Sequence, residues 1–294
     1  MGLLANLRDA MTAGAPARQG APEPAEPPTF PEGRVGYAVG DIHGRDDLLE
    51  LMLDRLEAEH PNPDPENPPV ALFLGDYIDR GSDSKRVIDL LLEGRPRGFE
   101  RRFLCGNHEA MLLAFLRDPA AERHWLSTGG MDTLLSYGLQ PSPAVASAAT
   151  IEELGAKFRE SLPAAHLTFF VGLERYIVMG GYVFVHAGVN PEKEIERQSD
   201  AELYWIRKKF LEARRPFPYV VVHGHTPERT PHRDSRRIGI DTGAYLSGNL
   251  TAVKLHGANA EFISVGQKPA SAPHAPDDAR CASTIWDTEG LDDE

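Results

Sequence analysis

The chain has 294 residues, is 41% hydrophobic and carries a formal net charge of −13. That acidity, with no long basic run, argues against nucleic acid or an anionic membrane as an electrostatically captured partner. It leaves a phosphorylated substrate open, because bound divalent ions would reverse the sign of the local field. The two cysteines, Cys105 and Cys281, make neither a disulfide framework nor a zinc cluster. No stretch approaches the roughly 20 apolar residues of a membrane span. No secretory apolar region opens the chain, and Asn6 stands where a myristoylation signal starting at Gly2 needs Ser or Thr. The expected location is the cytoplasm.

Residues 1–33 carry a short helical stripe, Leu3, Leu4, Leu7 and Met11, then a Pro/Ala/Glu-rich run from Ala15 to Pro31. This composition predicts a disordered arm. One pattern then repeats: apolar strand, glycine-flanked polar turn, helix. Val35 to Val39 runs into Gly40-Asp41-Ile42-His43-Gly44, and Leu48, Leu49, Met52, Leu53 and Leu56 follow with helical spacing. Val70 to Leu74 ends in Gly75-Asp76-Tyr77-Ile78-Asp79-Arg80-Gly81, before a helix from about Asp83 to Glu93. Arg101 to Leu104 ends in Gly106-Asn107-His108-Glu109, where a third helix begins. Such units predict a parallel start to a sheet, with ligands gathered at the carboxyl ends of its strands. Residues 118–167 are helical in composition and read as an insertion over one rim of the site, setting substrate access.

From Leu173 the pattern turns to β. Strands are expected at Leu173–Met179 and Tyr182–Val185, around Gly180-Gly181, and the second runs into His186-Ala187-Gly188. A helix from about Ala201 to Ala213 carries Arg207. Tyr219 to Val222 ends in His223-Gly224-His225-Thr226-Pro227, and strands at Ile238–Asp241, Asn249–His256 and Ala260–Val265 complete the fold. The expectation is an α/β domain over residues 34–266, a central β-sandwich flanked by helices, with a disordered acidic tail at 267–294.

Asp41, His43, Asp76, Asn107, His186 and His225 all fall at strand ends. This oxygen and nitrogen set contains no thiolate, so it is no soft-metal site. Six ligands exceed what one catalytic ion takes if it keeps an open position. They suit two ions sharing one carboxylate, an arrangement that activates a water and clamps a phosphoryl group. Asp76, on the middle strand, is the natural bridge.

The five motifs in this order resemble the phosphoprotein phosphatase branch of the calcineurin-like metallophosphoesterases, and in particular the bacterial and phage serine/threonine phosphatases. The resemblance covers about residues 35–256. It implies that Asp41, His43 and Asp76 hold one metal, and that Asp76, Asn107, His186 and His225 hold the other, with a bridging hydroxide attacking phosphorus in line. It implies His108 as the general acid, Asp79 as the carboxylate that orients it, and Arg80 and Arg207 as phosphate ligands. Mn²⁺ is the expected metal, with Fe or Zn as alternatives; three histidines suit Mg²⁺ less. His225, directly before Thr-Pro, matches the family's ligand, which leaves His223 structural. Glu109 reads as a first-turn helix acid. The expected activity is that of a phosphomonoesterase, a serine/threonine protein phosphatase, acting on a phosphorylated protein or small phosphoester. A dinucleoside polyphosphate hydrolase is the alternative enzyme, and a non-catalytic phosphoprotein-binding scaffold is the alternative of another class. A phosphodiesterase of the wider superfamily fits less well, since Pro227 replaces the second histidine of Gly-His-x-His.

Overall fold

The computed structural model describes residues 28–140 and 147–266; the expected arm up to residue 27 and the acidic tail from 267 lie outside the described residues. The first half alternates strand and helix: β1 (Val35–Val39), α1 (Asp46–Glu59), β2 (Val70–Phe73), α2 (Ser84–Leu92), β3 (Glu100–Phe103) and α3 (Asn107–Arg117). Helices follow: a 3-10 turn at Arg123–Thr128, then α4 (Gly130–Ser136), α5 (Ala148–Ser161) and α6 (Ala164–Val171). The second half holds β4 (Ile177–Met179), β5 (Tyr182–Phe184), α7 (Asp200–Trp205), α8 (Lys208–Leu211) and β6 (Val220–His223). It closes with β7 (His232–Arg233), β8 (Arg237–Gly239), α9 (Ala244–Ser247), β9 (Asn249–His256) and β10 (Asn259–Gly266).

Two five-stranded sheets result, ordered β10-β9-β1-β2-β3 and β4-β5-β6-β8-β7. The strands β1, β2 and β3 are parallel, as are β5, β6 and β8. Period-two alternation decides which face each side chain takes. On β6, Val220 and Val222 pack between the sheets with Leu72, Val253, Phe184 and Ile238. Val221 faces the other way, against Leu203 and Phe210 of the helices outside the second sheet. Tyr37, Val39 and Phe73 face Leu49, Leu53 and Ile88 outside the first. The fold is therefore the expected helix-flanked sandwich, and burial of each such Val, Leu or Phe side chain contributes roughly 1.5–3 kcal/mol.

Three expectations need correction. The arm does not extend to residue 33. Phe30 is 1% exposed, sits between the two sheets and donates its N–H to the Gly257 carbonyl at 2.8 Å. One aromatic ring buried there outweighs the prolines around it. The strand expected at 173–179 shrinks to β4, because Leu173 turns toward the helical core and Glu174 bridges to Leu104. The helix expected over 201–213 breaks at Arg207, whose backbone (φ −130°, ψ −95°) is not helical. Ser199 and Glu202 cap α7 reciprocally, and a second short helix starts after the break.

Candidate metal centre

Each candidate ligand lies just past the carboxyl end of a parallel strand. Asp41 and His43 follow β1, Asp76 follows β2, Asn107 opens α3 after β3, His186 follows β5 and His225 follows β6. The turns are tight. Among the described residues, the non-glycine positions with positive φ are His43 (47°), Asp76 (50°), Asp79 (72°), Arg80 (68°) and His225 (63°). All belong to the candidate site. Such backbone costs of order 1–3 kcal/mol per residue and persists only where its surroundings over-determine it.

Asp76 occupies the middle. Its Oδ2 lies 3.4 Å from His43 Nε2 and 3.9 Å from His108 Nε2, and its Oδ1 lies 3.4 Å from His186 Nε2. Two clusters of ligand atoms result, His43–Asp76–His108 and Asp76–His186–His225, each with all its atoms within 4.8 Å of one another. Backbone carbonyls fix the imidazoles: His43 Nδ1 meets Ile78 O and His186 Nδ1 meets Leu74 O, both at 2.9 Å, leaving Nε2 to face Asp76. Asn107 Oδ1 is 2.9 Å from both His186 Nε2 and His225 Nδ1. His108 Nδ1 meets Asp79 Oδ2 at 2.6 Å. Arg80 and Arg207 are exposed and flank the two clusters, with Arg80 Nη1 3.2 Å from His43 Nε2 and Arg207 Nε 3.2 Å from His225 Nε2.

The structure thus brings together the whole predicted set, with one refinement. Asp41 joins neither carboxylate–imidazole cluster. Its Oδ2 accepts the His225 N–H at 2.9 Å, and its Oδ1 is buried with no hydrogen-bond donor. A buried carboxylate oxygen without a donor calls for a cation, so the donor set fits divalent ions. Gly224 is required beside it, since a Cβ there would lie 1.9 Å from Asp41 Oδ1.

The electrostatics agree. Burial pushes Asp41 well above the ordinary carboxylate range, reinforced by Asp241 and Asp76. Asp241 itself is pushed up to about 6, chiefly by burial. Burial also raises Asp76, but His186, His108, His43 and His225 outweigh it and hold Asp76 well below the usual range. His43, His186 and His225 are lowered, by burial first, and so are kept in the neutral form that binds metal. His108 alone among these histidines is raised: burial opposes its charge, but Asp76 and Asp79 outweigh burial. His223 points elsewhere, with Nδ1 on Gly224 O and Nε2 3.1 Å from Arg237 Nη1.

Two residues were undervalued by sequence reasoning. Glu109 is fully buried, and its carboxylate accepts the N–H groups of Asp76 and Tyr77 at 2.8 Å and of Gly106 at 3.0 Å. It fastens the Asp76 turn to the start of α3. Its place just after His108 suggested a first-turn helix acid, and nothing local announced the reach to Asp76. Tyr245 packs edge-on to His43 at 5.2 Å and under the Arg80 guanidinium at 5.0 Å.

A helix-flanked sandwich with this ligand edge is a metallophosphoesterase architecture, and residues 37–256 match the calcineurin-like phosphoesterase family. The chain belongs to that family and is a metal-binding hydrolase. It is similar to the asymmetrical bis(5'-nucleosyl)-tetraphosphatase PrpE of Bacillus subtilis, at 28% identity over 80% of this chain and 95% of the relative. The PrpE of Halalkalibacterium halodurans is 25% identical over 77% and 92%. A crystal structure described as a candidate diadenosine tetraphosphatase shares the fold, with a TM-score of 0.54 at 21% identity over 80% of this chain and 95% of that one. The expected narrower kinship with serine/threonine protein phosphatases is not what these relatives are named for. No helix among the described residues is long and apolar enough to cross a membrane.

Proposed function

We propose that this protein hydrolyses dinucleoside polyphosphates at a dinuclear metal centre. The observation that carries the hydrolytic reading is the sharing of Asp76 by two ligand clusters, with an exposed arginine beside each. The substrate class is supported by the PrpE relatives, whose chains are matched over nearly their whole length.

Asp41, His43 and Asp76 would hold one ion, and Asp76, Asn107, His186 and His225 the other, with Mn²⁺ the ion of choice and Fe or Zn compatible. Such ions polarise phosphoryl oxygens and make water nucleophilic at neutral pH. The chain's own residues do the rest. Arg80 and Arg207 bind phosphoryl oxygens and orient the substrate. His108 keeps a proton at Nε2, facing the Asp76 side of the site, for delivery to the leaving oxygen. Asp79 accepts Nδ1–H, which fixes the ring and favours its charged form.

That His108–Asp79 pair favours a second reading, the hydrolysis of phosphoserine or phosphothreonine. An alkoxide leaving group needs a proton donor more than a departing nucleotide phosphate does. The test treats metal-stripped protein with diadenosine tetraphosphate or a phosphoserine peptide, with and without Mn²⁺, and separates the products by ion exchange. The proposal expects Mn²⁺-dependent formation of a nucleoside triphosphate and a monophosphate. Cleavage of the peptide alone would install the second reading, and cleavage of neither by metal-loaded protein would refute both.

A further inference from the structure

The helical insertion reaches the Asp79–Arg80 turn directly. Asp79 Oδ2, which receives His108 Nδ1, also accepts the Trp125 indole N–H at 2.8 Å. Asp79 Oδ1 accepts the Thr133 hydroxyl at 2.5 Å, and the same hydroxyl oxygen receives the Asp79 N–H at 3.0 Å. Arg80 N–H points to the Gly129 carbonyl at 3.4 Å. Trp125, Thr133 and Asp79 are fully buried, and Trp125 is held between Phe115 and Phe158 at ring distances of 4.9 and 5.9 Å. Gly129, at φ +114°, lies so close that a Cβ would be 2.8 Å from Arg80 N and 3.0 Å from Asp79 Cβ.

Asp79 and Arg80 adopt left-handed backbone, which is uncommon outside glycine. Their neighbours therefore have to impose it, and those neighbours include Ser84 of α2, whose Oγ also accepts the Asp79 N–H at 2.9 Å, together with the 3-10 turn and α4 of the insertion. Each carboxylate oxygen of Asp79 is committed to a donor from this segment. The imidazole of His108 is then left a single direction in which to meet Oδ2.

We propose that Trp125 and Thr133 form a positioning clamp: through Asp79 they aim His108 at the leaving group. The insertion is then part of the proton-delivery apparatus. The inference rests on the acid role proposed for His108.

The experiment uses the full-length, Mn²⁺-loaded chain with p-nitrophenyl phosphate, whose leaving group needs little protonation, and phenyl phosphate, whose leaving group needs more. The variants are Trp125→Phe, Thr133→Val, Thr133→Ser and the reference His108→Asn. General acid catalysis is worth about 10²–10⁴-fold, so misaiming the acid predicts a loss of about tenfold or more in kcat on phenyl phosphate. On p-nitrophenyl phosphate the loss stays small, and KM changes little on either. Thr133→Ser, which keeps the hydroxyl, restores the wild-type ratio of the two substrates. Equal losses on both substrates would mark Trp125 and Thr133 as merely structural and overturn the inference. So would an unchanged ratio in Thr133→Val while His108→Asn shifts it. No shift in His108→Asn would instead remove the acid role, and the clamp with it. Should Trp125→Phe fail to fold, the Thr133 pair decides alone.

Discussion

Glu109→Gln is the most informative substitution outside the ligands. Burial and Asp76 push the Glu109 carboxyl up, to about 8. Yet its close hydrogen-bond partners are all backbone donors: Asp76 and Gly106 on Oε2, Tyr77 on Oε1, with Ile78 farther at 3.4 Å. A protonated carboxyl would turn one O–H toward a donor, so the ionised form matches this environment better. Glutamine keeps one acceptor oxygen and puts an NH₂ group against the other donors. One or two buried N–H groups lose their acceptor, at roughly 1–3 kcal/mol each. The expected destabilisation is about 1–6 kcal/mol, a large share of a typical ~5–15 kcal/mol stability. Urea unfolding followed by circular dichroism measures it. A loss below about 0.5 kcal/mol would mean that glutamine mimics the resident form; Glu109 would then be protonated and the anchoring argument wrong.

Tyr245→Leu removes the ring under Arg80, a contact worth about 0.5–1 kcal/mol at an exposed site; steady-state kinetics should show KM up about two- to fivefold with kcat little changed, and a wild-type KM would contradict this. Phe30→Ala should cost roughly 3–5 kcal/mol in a denaturant titration; a negligible loss would return residue 30 to a loose arm. His223 is held at about 3 by burial, below the unfolded value of about 6.5. The unfolded chain therefore binds the proton first on acidification, so this contribution is complete above about pH 6.5 and declines toward pH 3. The stability gap between wild type and His223→Asn should narrow from pH 7 to 5, and parallel pH curves would count against it.

The ligand turns were legible because each is announced twice, by an apolar run that fixes the strand and by glycines that let it end sharply. Asp41, His43, Asp76, Asn107 and His186 stand out in that local pattern, whereas choosing His225 over His223 took the family resemblance. Long-range contacts left no such mark. Phe30 looks like one aromatic in a proline-rich tract until its place between the sheets is known. Trp125 and Thr133 lie in a segment whose composition says only helix, because only the folded chain brings them to Asp79, 46 and 54 residues away. The break at Arg207 was hidden because Lys208 and Lys209 after it are helix formers, while the Ser199–Glu202 capping box and the non-helical backbone of Arg207 set two short helices there. The orphan oxygen of Asp41 is a property of packing that no spacing rule reports.

If Asp76 joins two metal positions, the metal content of the chain depends on it. The direct measurement is metal content by inductively coupled plasma mass spectrometry, after loading with Mn²⁺ and desalting, for the wild type and Asp76→Asn. Two ions per chain are expected in the wild type, with both lost from tight binding in Asp76→Asn. One ion or none in the wild type, or two retained by Asp76→Asn, would contradict the shared role of Asp76.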